Sequence, residues 1–183
     1  PSRLPKGGRV DSVEPSPHDP GTATIAVHRY LLGDWKPYIY RTENFGGSWK
    51  LLSGPDSGIP QDHPVRVVRE DPERAGLLFA GTEYGVYLSL DAGESWQPFQ
   101  QNLPITPVTD IRLYRGDLVL STMGRGFWIM DQAAVLRQPA LTGAGDEVAL
   151  LPPAPAIRYR QRVRGLDDDD VPQYPANGAL IDY

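Results

Sequence analysis

A chain of 183 residues with 19 glycines, 19 prolines and no cysteine favours short strands and turns, and it excludes disulfides and thiol chemistry. Its net charge of −5 supplies no field for polyanions, so nucleic acid is not an expected partner. No run of 18 apolar residues is present, so no membrane-spanning helix is expected, and no motif asks for a cofactor or a metal ion.

In chain order, Pro1–Gly8 reads as an extended polar lead-in and Val10–Glu14 as a short strand. A turn follows at Ser16–Gly21, then β-rich runs at Thr22–His28 and Tyr38–Arg41, and a strand at Trp49–Leu52. The same order returns with Val65–Val68, a turn at Asp71–Gly76, then Leu77–Ala80, Val86–Leu90 and Trp96–Phe99. Gly81–Gly85 reads as the break between two of these strands. Asp19-Pro20 and Asp71-Pro72 are paired as equivalent turns, which assigns the first unit an insertion of about five residues in His28–Pro37. A third unit has strands at Val108–Leu113, Leu118–Ser121 and Gly126–Ile129, the last two aligned with Leu77–Ala80 and Gly85–Leu88 at a constant offset. A short helix is expected after Asp131.

Two eight-residue stretches punctuate the first two units, Thr42-Glu43-Asn44-Phe45-Gly46-Gly47-Ser48-Trp49 and Ser89-Leu90-Asp91-Ala92-Gly93-Glu94-Ser95-Trp96. Both fit Ser/Thr-x-Asp/Asn-x-Gly-x-Ser/Thr-Trp. The short polar group at the third position (Asn44, Asp91) can accept backbone N–H bonds and hold a tight turn. Glycine at the fifth (Gly46, Gly93) supplies a backbone conformation costly for other residues. The hydroxyls of Ser48 and Ser95 add local hydrogen bonds, and Trp49 and Trp96 open the next strand and can pack on a neighbouring sheet. These residues are structural, so Asn44 and Asp91 are not catalytic candidates.

This pattern resembles the Asp-box, or BNR repeat, of β-propellers such as sialidases, xyloglucanases and the sortilin N-terminal domain. The stretches SPHDPGTATIAVHRYLLGDWKPYIYRT, RVVREDPERAGLLFAGTEYGVY and STMGRGFWIMD extend the resemblance to bacterial glycosyl hydrolase-like proteins. It implies an all-β fragment of a propeller, two to three four-stranded blades, with residues 1–137 its last blades. Residues 138–174 read as a Pro- and charge-rich linker in which Arg158, Arg160, Arg162 and Arg164 alternate ahead of Asp167–Asp170, and 175–183 as the first strand of a following domain. The chain is therefore expected to be a piece of a longer, secreted or periplasmic protein, with the rest of the propeller and that domain as its partners.

Propeller topology places the loops between second and third strands, and those between blades, on the face opposite the Asp-boxes. That face gathers His28, Arg29, Asp34, Trp35 and Lys36, then Glu83 and Tyr84, then Arg125, with Asp62, His63 and Thr106 from the connectors. Trp35 suits stacking on a sugar or an apolar peptide group, Asp34 and Glu83 can accept hydrogen bonds or protons, and Arg125 between two glycines can reach a carboxylate. Structural readings stand beside these: His28 ending a strand, Trp35 covering its loop, Glu83 as an exposed turn residue, Arg125 in an ion pair. The implied function is a module binding a glycan, peptide or protein. The alternative is a xyloglucanase- or sialidase-like glycoside hydrolase with an incomplete site in this chain, with Asp34, Asp62 and Glu83 as its available carboxylates.

Overall fold

The computed structural model describes residues 4–138 and Pro152, so the linker and final-strand expectations for later residues lie outside the described part. Within it lie three antiparallel meander sheets. The first holds β1 (Arg9–Pro15), β2 (Ala23–His28), β3 (Ile39–Thr42) and β4 (Lys50–Leu51) in that order. The second holds β5 (Val65–Glu70), β6 (Leu78–Thr82), β7 (Gly85–Ser89) and β8 (Gln97–Pro98). The third holds β9 (Val108–Tyr114), β10 (Asp117–Thr122) and β11 (Phe127–Met130), followed by a 3-10 helix at Ala133–Arg137 where the sequence suggests a short helix. Sheets that each run inner strand to outer strand and pack face to face are the blades of a β-propeller. Among the described residues no helix is long and apolar enough to cross a membrane.

Side-chain alternation builds the seams between blades. In the second blade Leu78, Ala80 and Tyr87 face the first blade and meet Ala26, Ile39, Leu52 and Ile59 there. The opposite positions, Phe79, Val86 and Leu88, face the third blade and meet Val108, Ile111, Leu118 and Leu120. Buried on both faces, β6 and β7 are apolar almost throughout, so the second blade reads as continuous hydrophobic runs.

Strand registers correct the alignment expected from the sequence. Ala23 pairs with Thr42 as Leu78 pairs with Ser89, and Pro15 with Ala23 as Glu70 with Leu78. Equivalence therefore joins Ser16-Pro17, not Asp19-Pro20, to Asp71-Pro72. The β2–β3 loop holds ten residues (29–38) against two (83–84) in the β6–β7 turn, an insertion of eight rather than five. The break expected over Gly81–Gly85 shrinks to Glu83 and Tyr84, because Thr82 pairs with Gly85 within the ladder. Likewise Leu118 stands opposite Met130 as Leu78 stands opposite Ser89, one residue away from the expected match with Leu77.

Both eight-residue turns close by the bonds their sequence promises. Asp91 Oδ1 accepts from the Ser95 amide at 2.9 Å and from the Ser89 hydroxyl at 2.8 Å, while Ser89 Oγ accepts from the Gly93 amide at 2.8 Å. In the first blade Asn44 Oδ1 accepts from the Ser48 amide at 2.8 Å, and Thr42 Oγ1 from the Gly46 amide at 2.9 Å. Gly46 and Gly93 have φ of 83° and 90°, and the residues before them, Phe45 and Ala92, are left-handed as well. The Phe45 and Ala92 amides donate to Gly21 O and Gly76 O, both at 2.9 Å, which fixes these turns beside the turns between the blades' first two strands. In the third blade the 3-10 helix takes over this contact, Ala134 N to Gly116 O at 3.0 Å.

Candidate functional site

The opposite face carries the loops singled out from the sequence. Each inner strand reaches it through a bulge at the same place: the register slips between Val10 and Ser12, between Val65 and Val67, and between Thr122 and the Ser121 that faces Asp110. The displaced residues are Asp11, Arg66 and Thr109. A bulge re-aims a side chain that regular pleating would send to a seam.

Asp11 and Arg66 both use it to reach the residue that ends or follows the second strand. Asp11 Oδ2 lies 3.0 Å from His28 Nδ1, and Arg66 grips Glu83 Oε1 through Nε at 2.7 Å and a terminal nitrogen at 2.6 Å. His28 and Glu83 are themselves equivalent positions, and His28 Nε2 lies 3.6 Å from Glu83 Oε1. A row Asp11–His28–Glu83–Arg66 thus crosses the seam between the first two blades. His28 is 4% exposed, and burial holds its imidazole below its ordinary pKa against the opposing pull of Asp11 and Glu83. His28 does end β2, as its structural reading has it. Glu83 is not the exposed turn residue of the other structural reading, since its side chain is 18% exposed and ion-paired.

The inserted β2–β3 loop is shaped by a 3-10 turn at Tyr30–Leu32, capped by Gly33 at φ 74°. Its carboxylate, Asp34, accepts from the Tyr38 hydroxyl at 2.8 Å and the Lys36 amide at 3.3 Å, with an Arg29 guanidinium nitrogen at 3.4 Å. Burial alone pushes the Asp34 carboxyl up, but the Tyr38 and Lys36 hydrogen bonds and Arg29 outweigh it and leave it low. Burial, helped by the bond to Asp34, pushes the Tyr38 phenol up to about 12. Trp35 is half exposed, its ring 6.0 Å from Tyr30, whose ring lies 4.3 Å from His28. Lys36 is exposed.

His63 in the connector stacks on Tyr84 at 4.3 Å, and its Nδ1 lies 2.9 Å from the Tyr87 hydroxyl. Burial lowers its pKa, with Asp62 pulling the other way from 3.9 Å. Asp62 is the open carboxylate, 82% exposed at its side chain. Arg125 sits between Gly124 and Gly126, both left-handed, and forms no ion pair among the described residues; its carbonyl accepts from the Trp128 indole at 3.1 Å. Thr106 is buried, its hydroxyl 3.4 Å from Met123 O, and presents nothing to a ligand.

The structure thus brings together three groups: His28 with Glu83, His63 with Tyr84, and Arg29 with Asp34. Lys36 meets these groups through its amide on Asp34 and Asp62 through His63, while Arg125 shares no described side-chain contact with them. Asp11, Arg66 and Tyr30 were not singled out from the sequence. Tyr30 lies inside the inserted loop and was legible there; the two bulge residues carry no local signal. Among the described residues no cluster of three or more His, Asp or Glu could hold a metal ion.

No protein-family model and no curated protein matches this chain. Solved structures do match it in fold. A GH74 enzyme of Niastella koreensis superposes with a TM-score of 0.53 at 11% identity, over 67% of this chain and 21% of that one. An ancestral GH74 enzyme gives 0.51 at 20% identity, over 65% and 14%. YCF48 from Cyanidioschyzon merolae gives 0.52 at 12% identity, over 84% and 49%. This chain spans less than half the length of each, and at these identities what it has in common with them is the β-propeller fold.

Proposed function

We propose that this chain is part of an Asp-box β-propeller, within a larger exported protein, that binds a glycan, peptide or protein on the face carrying Trp35, Tyr84, His63 and Arg125. The observation that supports binding over hydrolysis is how the carboxylates of this face are engaged. Glu83 is held by Arg66 at 2.6 Å, Asp34 by the Tyr38 hydroxyl at 2.8 Å, and Asp11 by the Arg9 guanidinium. A glycosidase needs two carboxyl groups flanking one bond, one of them ready to give up a proton. Here Asp62 is the carboxylate of the candidate set left open, and one does not make that pair. Exposed aromatic rings, with an arginine on the same face that has no ion pair among the described residues, suit recognition instead.

The test is a screen of the full chain against xyloglucan oligosaccharides, a glycan array and a peptide array, with mass spectrometry of the products. Binding without cleavage is expected, weakened at least ~10-fold by Trp35→Ala or Tyr84→Ala, the usual cost of losing an aromatic anchor. Cleaved product would replace this reading with a hydrolase. Affinity unchanged in both variants would move the ligand off this face.

A further inference from the structure

His28 is buried at the seam between the first two blades with its ring poorly satisfied. Its Nδ1 faces Asp11 Oδ2 at 3.0 Å but out of line for a hydrogen bond, and its Nε2 stops 3.6 Å from Glu83 Oε1. Both ring nitrogens and Asp11 Oδ2 are enclosed without a hydrogen bond among the described residues. Each flanking carboxylate already has an arginine, Arg9 of β1 on Asp11 and Arg66 of β5 on Glu83.

A neutral imidazole carries one N–H, so it can serve only one of two carboxylates and turns a lone pair toward the other. An imidazolium carries two and suits both. Burial and the charges of Arg66 and Arg9 oppose that proton, Asp11 and Glu83 favour it, and the opposition prevails. The neutral row thus leaves enclosed polar atoms unpaired, whereas the protonated row pairs them but buries a charge.

Both neighbours of His28 lead to the loop face. Glu83 is one of the two residues of the β6–β7 turn, and the other is Tyr84, whose ring stacks on His63 at 4.3 Å. The Tyr30 ring lies 4.3 Å from the imidazole and 6.0 Å from the Trp35 ring, so a charge on His28 attracts the first of these aromatic rings.

We infer that His28 is a proton-operated link across this seam. On protonation its imidazole donates from both nitrogens, draws Glu83 from Arg66 toward the first blade, and shifts Tyr84 and the Tyr30–Trp35 pair with it. The rearrangement needs no ligand, so it holds or fails apart from what the face binds.

The test is an NMR titration of the full chain between pH ~8 and ~5, the range in which histidine changes charge. It is run in a His63→Gln background, which removes the imidazole stacked on Tyr84 itself. The Tyr84 ring and Trp35 indole resonances should shift together along the His28 titration, and His28→Gln should flatten both curves. Glu83→Gln should lower the His28 midpoint and hold Tyr84 in place while Trp35 still moves. The Trp96 indole, bonded to Leu52 O at 3.1 Å in the same seam, reports that each variant is folded. Static Tyr84 and Trp35 resonances through the His28 midpoint would overturn the inference. So would shifts that survive in His28→Gln, or a His28 midpoint unmoved by Glu83→Gln. Loss of the native Trp96 resonance before His28 titrates would also overturn it, since the proton would then open the seam instead of rearranging it.

Discussion

His28 and Glu83 hold the same place in successive blades and meet across the seam, Nε2 to Oε1 at 3.6 Å. Each is backed by the bulged residue of its own inner strand, Asp11 for His28 and Arg66 for Glu83. A repeat that places one fold position at every seam has here set a buried imidazole against an ion-paired carboxylate. The row therefore ties two blades together directly beneath the loops proposed to hold a ligand.

Stability should fall as pH drops from about 8 toward the lower pKa values of His28 and His63. Burial depresses both imidazoles, although Asp11 and Glu83 oppose it at His28 and Asp62 at His63. An unfolded histidine titrates near ~6.5, so the unfolded chain takes up protons first and the contribution is complete only above that pH. Urea midpoints should decline below it, and less steeply in His28→Gln. Parallel profiles for the two proteins would mean that His28 is not held neutral.

The two turn tryptophans should differ in cost. Trp96 is 4% exposed and hydrogen-bonded across the seam, so Trp96→Ala should destabilise by roughly 3–5 kcal/mol. Trp96→Phe should lose about 1 kcal/mol for the missing bond to Leu52 O, plus any packing mismatch. Trp49→Ala should cost distinctly less than Trp96→Ala, since its ring is only half-buried in this chain. Chemical denaturation of the three variants checks the order, and equal losses for both alanine variants would contradict it.

Asp91→Asn should be mild and Asp91→Ala should not. Asn44 already performs the same task in the first blade, accepting from the Ser48 amide at 2.8 Å. Asn at Asp91 should cost under ~1 kcal/mol, whereas Ala strips the Ser95 amide and hydroxyl of their acceptor and should cost ~1–3 kcal/mol. Equal denaturation midpoints for the two variants would show that the carboxyl group does not organise the turn.

Arg69 joins all three blades. Its guanidinium reaches Glu14 at 3.2 Å in the first, Asp110 at 2.7 Å in the third, and Ile111 O at 3.1 Å. Arg69→Met keeps much of the stem but takes the ion pair from Glu14 and leaves Asp110 with Arg112 at 3.5 Å; with Asp110 40% exposed the loss should be ~1–3 kcal/mol, below that of a fully buried pair. Burial raises the Glu14 carboxyl while Arg69 pulls it down, so the variant should raise it further. NMR titration of Glu14 reads that shift; an unchanged value would show that the pair is solvent-screened.

Sequence by itself determined the strand order, the three-blade repeat and the two turns, because their chemistry is local. Thr42 to Trp49 and Ser89 to Trp96 each carry donor, acceptor and left-handed glycine within eight residues, so no distant partner is needed to close them. It also marked His28, Glu83, His63 and Tyr84 as loop-face residues. It could not reveal that Asp11 and Arg66 stand beneath two of them, since each bulge falls within the first residues of a strand of six or seven, too near its end for a change of phase in the two-residue alternation to show. The same blindness set the insertion at five residues instead of eight, because matching Asp-Pro pairs outweighed a register that only pairing reveals. Tertiary structure alone decided that Glu83 is ion-paired, that Thr106 is buried, and that Arg69 spans three blades. Those contacts join residues that only the packing of blade on blade brings within reach.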